Sequence, residues 1–311
     1  MLKYSVTEIA NNYIFCSIRM EMLMKAIRLQ RFKGFIDSGW IDLNPVTLLF
    51  GYNSSGKSSI LKALLMLKQS LENPSLEVPF VFTAEKGIDL GSFEDAVNNH
   101  RINHNEPMII SLRVNIEDKI NNKIALENYD IDFSINISYN QKRRFIAIMG
   151  FNLCDNNEKV ILNMKKQNPS QNAKEVVFSE YYEDLNEDSV KIEWYNFLPV
   201  IKDINSDLYA IKLITEAVRE SIIDSLKNLS NIGPVRAIPE RNQLFTGVSP
   251  LNVGVHGEEA FKLLYLDRYR DDPQNLDEKV NRFLSKHNYK FEWKIFKNSL
   301  GQFILIDIRS G

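Results

Sequence analysis

A chain of 311 residues with 44% hydrophobic and 25% charged residues is long enough for one large or two modest domains, with an apolar core that needs no metal or disulfide staple. Its 38 basic and 40 acidic residues leave a formal net charge of -2, which excludes a global field drawing the whole protein to nucleic acid or anionic lipid. No apolar run approaches the ~20 residues that span a bilayer, and the two widely separated cysteines, Cys16 and Cys154, point to a reducing, cytoplasmic setting rather than a disulfide framework.

Residues 1–23 fit poorly with the chain beyond them and read as an N-terminal extension, without the basic-then-apolar layout of a secretory signal. Either Met24 is the true start or the leader is an ordinary first element. Ile27 and Leu29 then alternate with Arg28 and Gln30 as in a strand. Lys33-Gly34-Phe35 makes a turn before Trp40, Ile41 and Leu43, and Asn44-Pro45 makes another. Val46-Thr47-Leu48-Leu49-Phe50 reads as a strand buried on both faces of a sheet. A helix is predicted from about Ser58, with Ile60, Leu61, Leu64, Leu65, Leu67 and Leu71 on its apolar face and Lys62 and Lys68 outside it; Asn73-Pro74 stops it.

From Met108 the period changes to two. Ile131, Phe133, Ile135, Ile137 and Tyr139 alternate with polar residues, and Ile146–Ile148, Val160–Leu162, Val176–Phe178 and Ile192–Trp194 look like further short strands of an antiparallel sheet with one wet face. Helix returns around Asp207 to Leu229, and two more helices are predicted over Glu258 to Tyr269 and Leu276 to His287. Two final strands run from Tyr289 to Phe296 and from Gln302 to Ile308. The predicted organisation is an extension over 1–23, a nucleotide-binding core over 24–107, a β-rich subdomain over 108–200, and a helical segment with closing strands over 201–311.

Between the predicted strand and helix stands Gly51-Tyr52-Asn53-Ser54-Ser55-Gly56-Lys57-Ser58, an ungapped G-x-x-x-x-G-K-[ST] followed by Ser59. Glycines let the backbone approach a bulky anion, successive N–H groups form a nest, and the helix start adds free donors and a positive dipole end. Lys57 suits the β- and γ-phosphates of ATP, and the Ser58 hydroxyl suits Mg²⁺, which takes oxygen ligands. The bland alternative is a Gly/Ser-rich hinge with a chance lysine; the strand–loop–helix context favours phosphate binding.

Lys25–Phe35, Leu43–Gly51, the phosphate loop and Ile60–Leu64 together resemble the head of an AAA family ATPase of the ABC-like class, the wider group of RecF, SMC and OLD-type proteins. Asp89–Asp95, Ile232–Arg241 and Gly257–Ala260 are similar to one subgroup of bacterial ATPases. The resemblance covers the chain from about Met24 onward. It implies an α/β P-loop NTPase fold with a mixed sheet, an antiparallel β-rich subdomain and a helical segment. It also implies ATP and Mg²⁺ as cofactors, a homodimer or larger assembly that sandwiches ATP, and a partner effector protein or DNA in phage defence or repair, with no membrane. Members carry a signature segment, an hhhhDE strand and a switch histidine, usually farther along. Phe303-Ile304-Leu305-Ile306-Asp307 has the apolar run and the aspartate, but Ile308 stands where the glutamate belongs. The expectation is therefore a chain that ends before the signature segment and binds ATP with poor turnover, and no catalytic residue is assigned. The other readings are a non-hydrolysing nucleotide sensor and a P-loop kinase or GTPase; no N-K-x-D base-reading motif is present.

Weaker constellations remain. Arg31 and Lys33 lie near the nucleotide by resemblance, or in a solvated turn. Arg236 and Arg241 reach phosphate or a partner, or brace their own loop. Lys142, Arg143 and Arg144 touch DNA phosphate or cap a strand end. His100 and His104 are spaced i,i+4 in an Asn- and Pro-punctuated stretch that does not favour a metal pair. Asp267, Asp271 and Asp272 read as an exposed acidic turn.

Overall fold

The computed structural model describes residues 23–73, 78–84, 87–102, 106–120, 124, 126, 128–140, 144–166, 175–182, 185, 190–204, 208–237, 242–244, 250, 252–298 and 301–310. The chain divides into two compact units, Met1–Asn228 and Leu229–Gly311.

The first unit is built on a seven-stranded sheet of order β2-β1-β3-β4-β5-β6-β7. Its strands are β1 (Met24–Phe32), β2 (Phe35–Asp42), β3 (Met108–Asn115), β4 (Asp130–Asn140), β5 (Phe145–Cys154), β6 (Val160–Lys166) and β7 (Glu175–Phe178). Every pairing in it is antiparallel, where a mixed sheet was expected. β1 is the reason the sheet is continuous. It pairs with β2 through the tight Lys33-Gly34 turn on one side and with β3 on the other, where Ile27 faces Leu112 and Leu29 faces Ile110. The sheet therefore runs across residue 107. The period-two pattern of β4 places Ile131, Phe133, Ile135 and Ile137 in the core. The opposite face of β1–β4 carries polar partners: Arg113 forks onto Asp132 at 2.7 and 2.8 Å and lies 4.6 Å over the Trp40 ring.

Helix α1 (Lys57–Glu72) and helix α2 (Tyr209–Lys227) pack on this unit, α2 against β1, β3 and the hairpin strand β9 (Leu198–Ile204), which pairs with β8 (Val190–Tyr195). Full burial of Leu64 and Leu67 on α1 contributes roughly 1.5–3 kcal/mol each. The buried face of α1 is turned from the expected one. Leu61 is exposed, while Gln69 and Ser70 are buried. The Gln69 amide donates to the Val81 carbonyl at 2.6 Å and accepts from the Ile88 N–H at 3.0 Å; the Ser70 hydroxyl accepts from the Val81 N–H at 2.9 Å. These two side chains serve the backbone groups of Val81 and Ile88. An aromatic train seals the region: Phe80 stacks on Phe197, Phe82 meets Phe93 edge-on, and Phe93 stacks on Tyr139.

The second unit holds β10 (Asn242–Leu244), α3 (Ala260–Asp267), α4 (Leu276–Ser285) and the hairpin β11 (Tyr289–Asn298) with β12 (Gly301–Ser310), in a sheet of order β10-β12-β11. Among the described residues, no helix is long and apolar enough to cross a membrane.

Candidate functional site

The glycine–serine loop leads directly into α1. Gly56 occupies the N-cap position with φ 91° and ψ 0°, a left-handed conformation that glycine adopts without steric cost. It brings no capping side chain, and the first turn of α1 has no acidic residue. Ser55 N–H donates to Tyr52 O and Ser59 N–H to Gly56 O. The N–H groups of Asn53, Ser54, Gly56, Lys57 and Ser58 have no acceptor among the described residues. Five main-chain donors thus lack acceptors among the described residues, from the loop into the first turn of α1, where a helix start is electropositive.

Lys57 bends back over this loop. Its ammonium donates to the carbonyls of Gly51 at 2.7 Å and Tyr52 at 2.6 Å, with the Ser55 hydroxyl at 3.5 Å. The cation is satisfied by main-chain oxygens rather than by a carboxylate, and no acidic residue occurs between Asp42 and Glu72. Ser58 is exposed beside it. The arrangement offers an anion an ammonium, several amide donors and a hydroxyl oxygen suited to a hard cation.

The segment before the loop differs from expectation. Val46, Leu48 and Phe50 are 71%, 69% and 84% exposed, and 46–50 forms no strand. The physical reason is topological: the sheet ends at β2, and after Leu43 N–H bonds to Lys25 O the chain leaves its edge. Apolar composition marked these residues for burial, but no neighbouring strand among the described residues takes up their backbone.

On the other side of the loop stands the β1–β2 turn. Lys33 is half-buried and bonded on three sides. Its ammonium donates to Leu90 O at 3.1 Å, its N–H to Ala96 O at 2.7 Å, and its carbonyl accepts from the Asn98 amide at 2.7 Å. Burial, and then the charge of Lys62 on α1, hold its pKa below the ordinary lysine value. Arg31 is likewise engaged, with Glu106 and with the Arg101 carbonyl. Two residues beyond Lys33, the Phe35 ring abuts Gly56: a Cβ built on Gly56 would lie 2.7 Å from Phe35 Cζ. Sequence reasoning read Lys33-Gly34-Phe35 only as a turn and missed this contact; the aromatic directly after the turn was the available signal.

Some of the remaining candidates lie outside the described residues. Lys142, Arg143, His104 and Arg241 are outside them. Arg144 is exposed in the β4–β5 turn. His100 Nδ1 lies 3.2 Å from Glu94 O, and no group of three or more His, Cys, Asp or Glu side chains that could hold a metal occurs among the described residues. Burial pushes the Cys154 thiol up to about 11, so it stays protonated and unreactive. In the second unit, Arg236 donates to the Gly233 carbonyl, and the loop is pinned by Gly233 N–H to Val255 O at 2.7 Å and Ala237 N–H to His256 O at 2.8 Å. Arg236 braces its own loop. The backbone of Asp307 pairs with Glu292 in the β11–β12 hairpin. Asp267 is buried, not exposed, and accepts from the N–H groups of Gln274 and Leu276, both at 2.9 Å; Asp271 and Asp272 are exposed as expected.

A scan against protein-family models and a search of curated proteins found no match to this chain.

Proposed function

We propose that the loop from Gly51 to Ser59 binds the phosphates of ATP with Mg²⁺, as the nucleotide site of an ABC-like AAA family ATPase head. The observation that carries the reading is the set of five acceptor-less main-chain N–H groups at an acid-free helix start, with Lys57 folded over them. In this reading Gly51, Tyr52, Asn53, Ser54, Ser55, Gly56 and Ser59 supply the cradle, Lys57 the charge and Ser58 a ligand for Mg²⁺. Phosphate binding exchanges the Gly51 and Tyr52 carbonyls for phosphate oxygens at the Lys57 ammonium. That exchange replaces neutral acceptors with charged ones, which strengthens the hydrogen bonds at the ammonium. ATP-driven pairing of two heads, acting on an effector protein or DNA in the cytoplasm, is the working role.

A second reading, a nucleotide-binding module that does not turn ATP over, draws on the charge around the loop. Lys57, Lys62 and Lys68 are the only charged side chains from residue 43 to 71, so the flanking chain supplies no carboxylate to orient a water.

Isothermal titration with ATP and Mg²⁺, beside a phosphate-release assay, separates the two. Lys57→Ala is expected to weaken ATP binding about 100-fold, the equivalent of one or two charge-assisted hydrogen bonds. Unchanged affinity in a folded Lys57→Ala protein refutes the nucleotide site. Binding without turnover selects the second reading.

A further inference from the structure

The β1–β2 hairpin reaches the glycine–serine loop through one side chain. Phe35 follows the Lys33-Gly34 turn and points the far end of its ring at Gly56. A Cβ built on Gly56 would lie 2.7, 3.0 and 3.2 Å from Cζ, Cε2 and Cε1, the three atoms at that end. The shortest of these is below any separation that real side-chain contacts sustain, so no residue but glycine fits while Phe35 stays in place. Gly56 is also where the loop turns left-handed, at φ 91°, to start α1. The direction of the Lys57 and Ser58 N–H groups relative to the loop before them depends on that single dihedral pair.

The hairpin end that carries Phe35 is held firmly. Phe32 pairs with Phe35 across the turn and bridges to Val97. Lys33 is bonded to Ala96 through its N–H, to Asn98 through its carbonyl and to Leu90 through its ammonium. Phe32 and Val97 are buried. Phe35 is thus the projecting end of a braced structure, and the loop residue it meets is the one whose conformation sets the helix start.

We propose that Phe35 is a positioning residue for phosphate binding: a stop that holds Gly56 left-handed and so aims the first N–H groups of α1. The proposal rests on the reading of residues 51–59 as a phosphate site. It assigns Phe35 no contact with nucleotide. The effect passes through Gly56, so it falls on the phosphate part of the ligand and spares the base. Because the contact is end-on, an added hydroxyl at Cζ is as harmful as removing the ring, whereas a side chain that merely filled a half-buried apolar gap would tolerate tyrosine.

The test uses the full chain, with inorganic tripolyphosphate and ATP as probes, each with Mg²⁺, by competition against a fluorescent ATP analogue. Thermal melts of each variant report folding. Phe35→Ala and Phe35→Tyr are each expected to weaken both probes about tenfold, by the same factor for the two. Gly56→Ala is expected to cost at least fivefold more affinity with Phe35 in place than in a Phe35→Ala background, because the clash at 2.7 Å is then gone. Should Phe35→Ala fail to melt cooperatively, Phe35→Leu replaces it as the background that lacks the ring end, beside Phe35→Tyr. Wild-type affinity in folded Phe35→Tyr, or equal cost of Gly56→Ala in both backgrounds, overturns the proposal while leaving the phosphate site standing. If Lys57→Ala also binds both probes normally, the phosphate site itself falls, and Phe35 with it.

Discussion

Two helix starts in the first unit solve the same problem in opposite ways. The short turn Phe93–Ala96 follows Gly91 at φ 77°, as α1 follows Gly56 at φ 91°. At the first, side chains satisfy the loose donors. Ser92 N–H bonds to Asp95 Oδ2 at 2.8 Å, the Ser92 hydroxyl accepts from Asp95 N–H, and Gly91 N–H bonds to Asp89 Oδ1 at 2.8 Å. Glu94 and Asp95 add negative charge where the dipole favours it. At the second there is no cap, no acid and a lysine. The difference shows that glycine content does not mark a functional loop. What marks it is donors left without acceptors in a place where the chain had cheap ways to satisfy them.

The strongest way to break the contrast is to convert one start into the other. Ser59 stands at the same helical position in α1 as Asp95 does in its turn, the third residue after the cap. Ser59→Glu gives α1 the missing acid. It is expected to raise stability by ~0.3–1 kcal/mol through the helix dipole. It is also expected to lower ATP affinity about 10- to 100-fold, since a carboxylate now claims the donors and repels the phosphates. Calorimetry and urea melts on one preparation measure both. A variant that gains stability and keeps its affinity shows that the open donors are not the binding site.

A smaller effect sharpens the other side. Ser92→Ala removes the cap from the closed start, and about 1 kcal/mol of stability should go with it. ATP affinity should stay within twofold, because no phosphate is bound there. A tenfold loss of affinity, with stability intact, shows that the two starts are not separate in function.

These contrasts were only partly legible in the sequence. The loop and its helix stood out because glycine, lysine and serine spacing is local and α1 follows the 3.6-residue period. The helix face was misjudged at Leu61, Gln69 and Ser70, since periodicity counts apolar residues and cannot foresee that two polar side chains are buried to serve the 80–88 backbone. The strand β4 was legible from alternation, and β5 to β7 from short apolar runs between turns. The joining of β1 to β3 was not, because Ile27 and Leu112 pair across a long stretch of chain and nothing local records the partner. The same limit explains Val46 to Phe50: their composition asks for burial, but burial needs a neighbour that composition does not name. The aromatic after the turn was visible at Phe35, but its contact was not, for a related reason: nothing local names the glycine it meets.

The smallest expected effect concerns protons, and it separates the two starts by charge alone. The Asp95 carboxyl is held below the ordinary aspartate value of 3.8, first by the Ser92 hydroxyl and then by the Ser92 N–H. Asp89 is held down in the same sense by the Thr83 hydroxyl and the Gly91 N–H. A group that binds its proton less readily when folded lends stability that is whole above 3.8 and is lost as pH falls through the lower folded value. The closed start should therefore weaken in acid. The stretch around the open start has no acidic side chain between Asp42 and Glu72, and so no carboxylate to titrate there. Asp95→Asn keeps the shape of the cap and removes the charge. Its stability deficit against the wild-type chain, read from urea melts, should shrink as the pH drops below about 4. A deficit that persists undiminished at pH 3 means that geometry, not the carboxylate charge, holds the Ser92 cap.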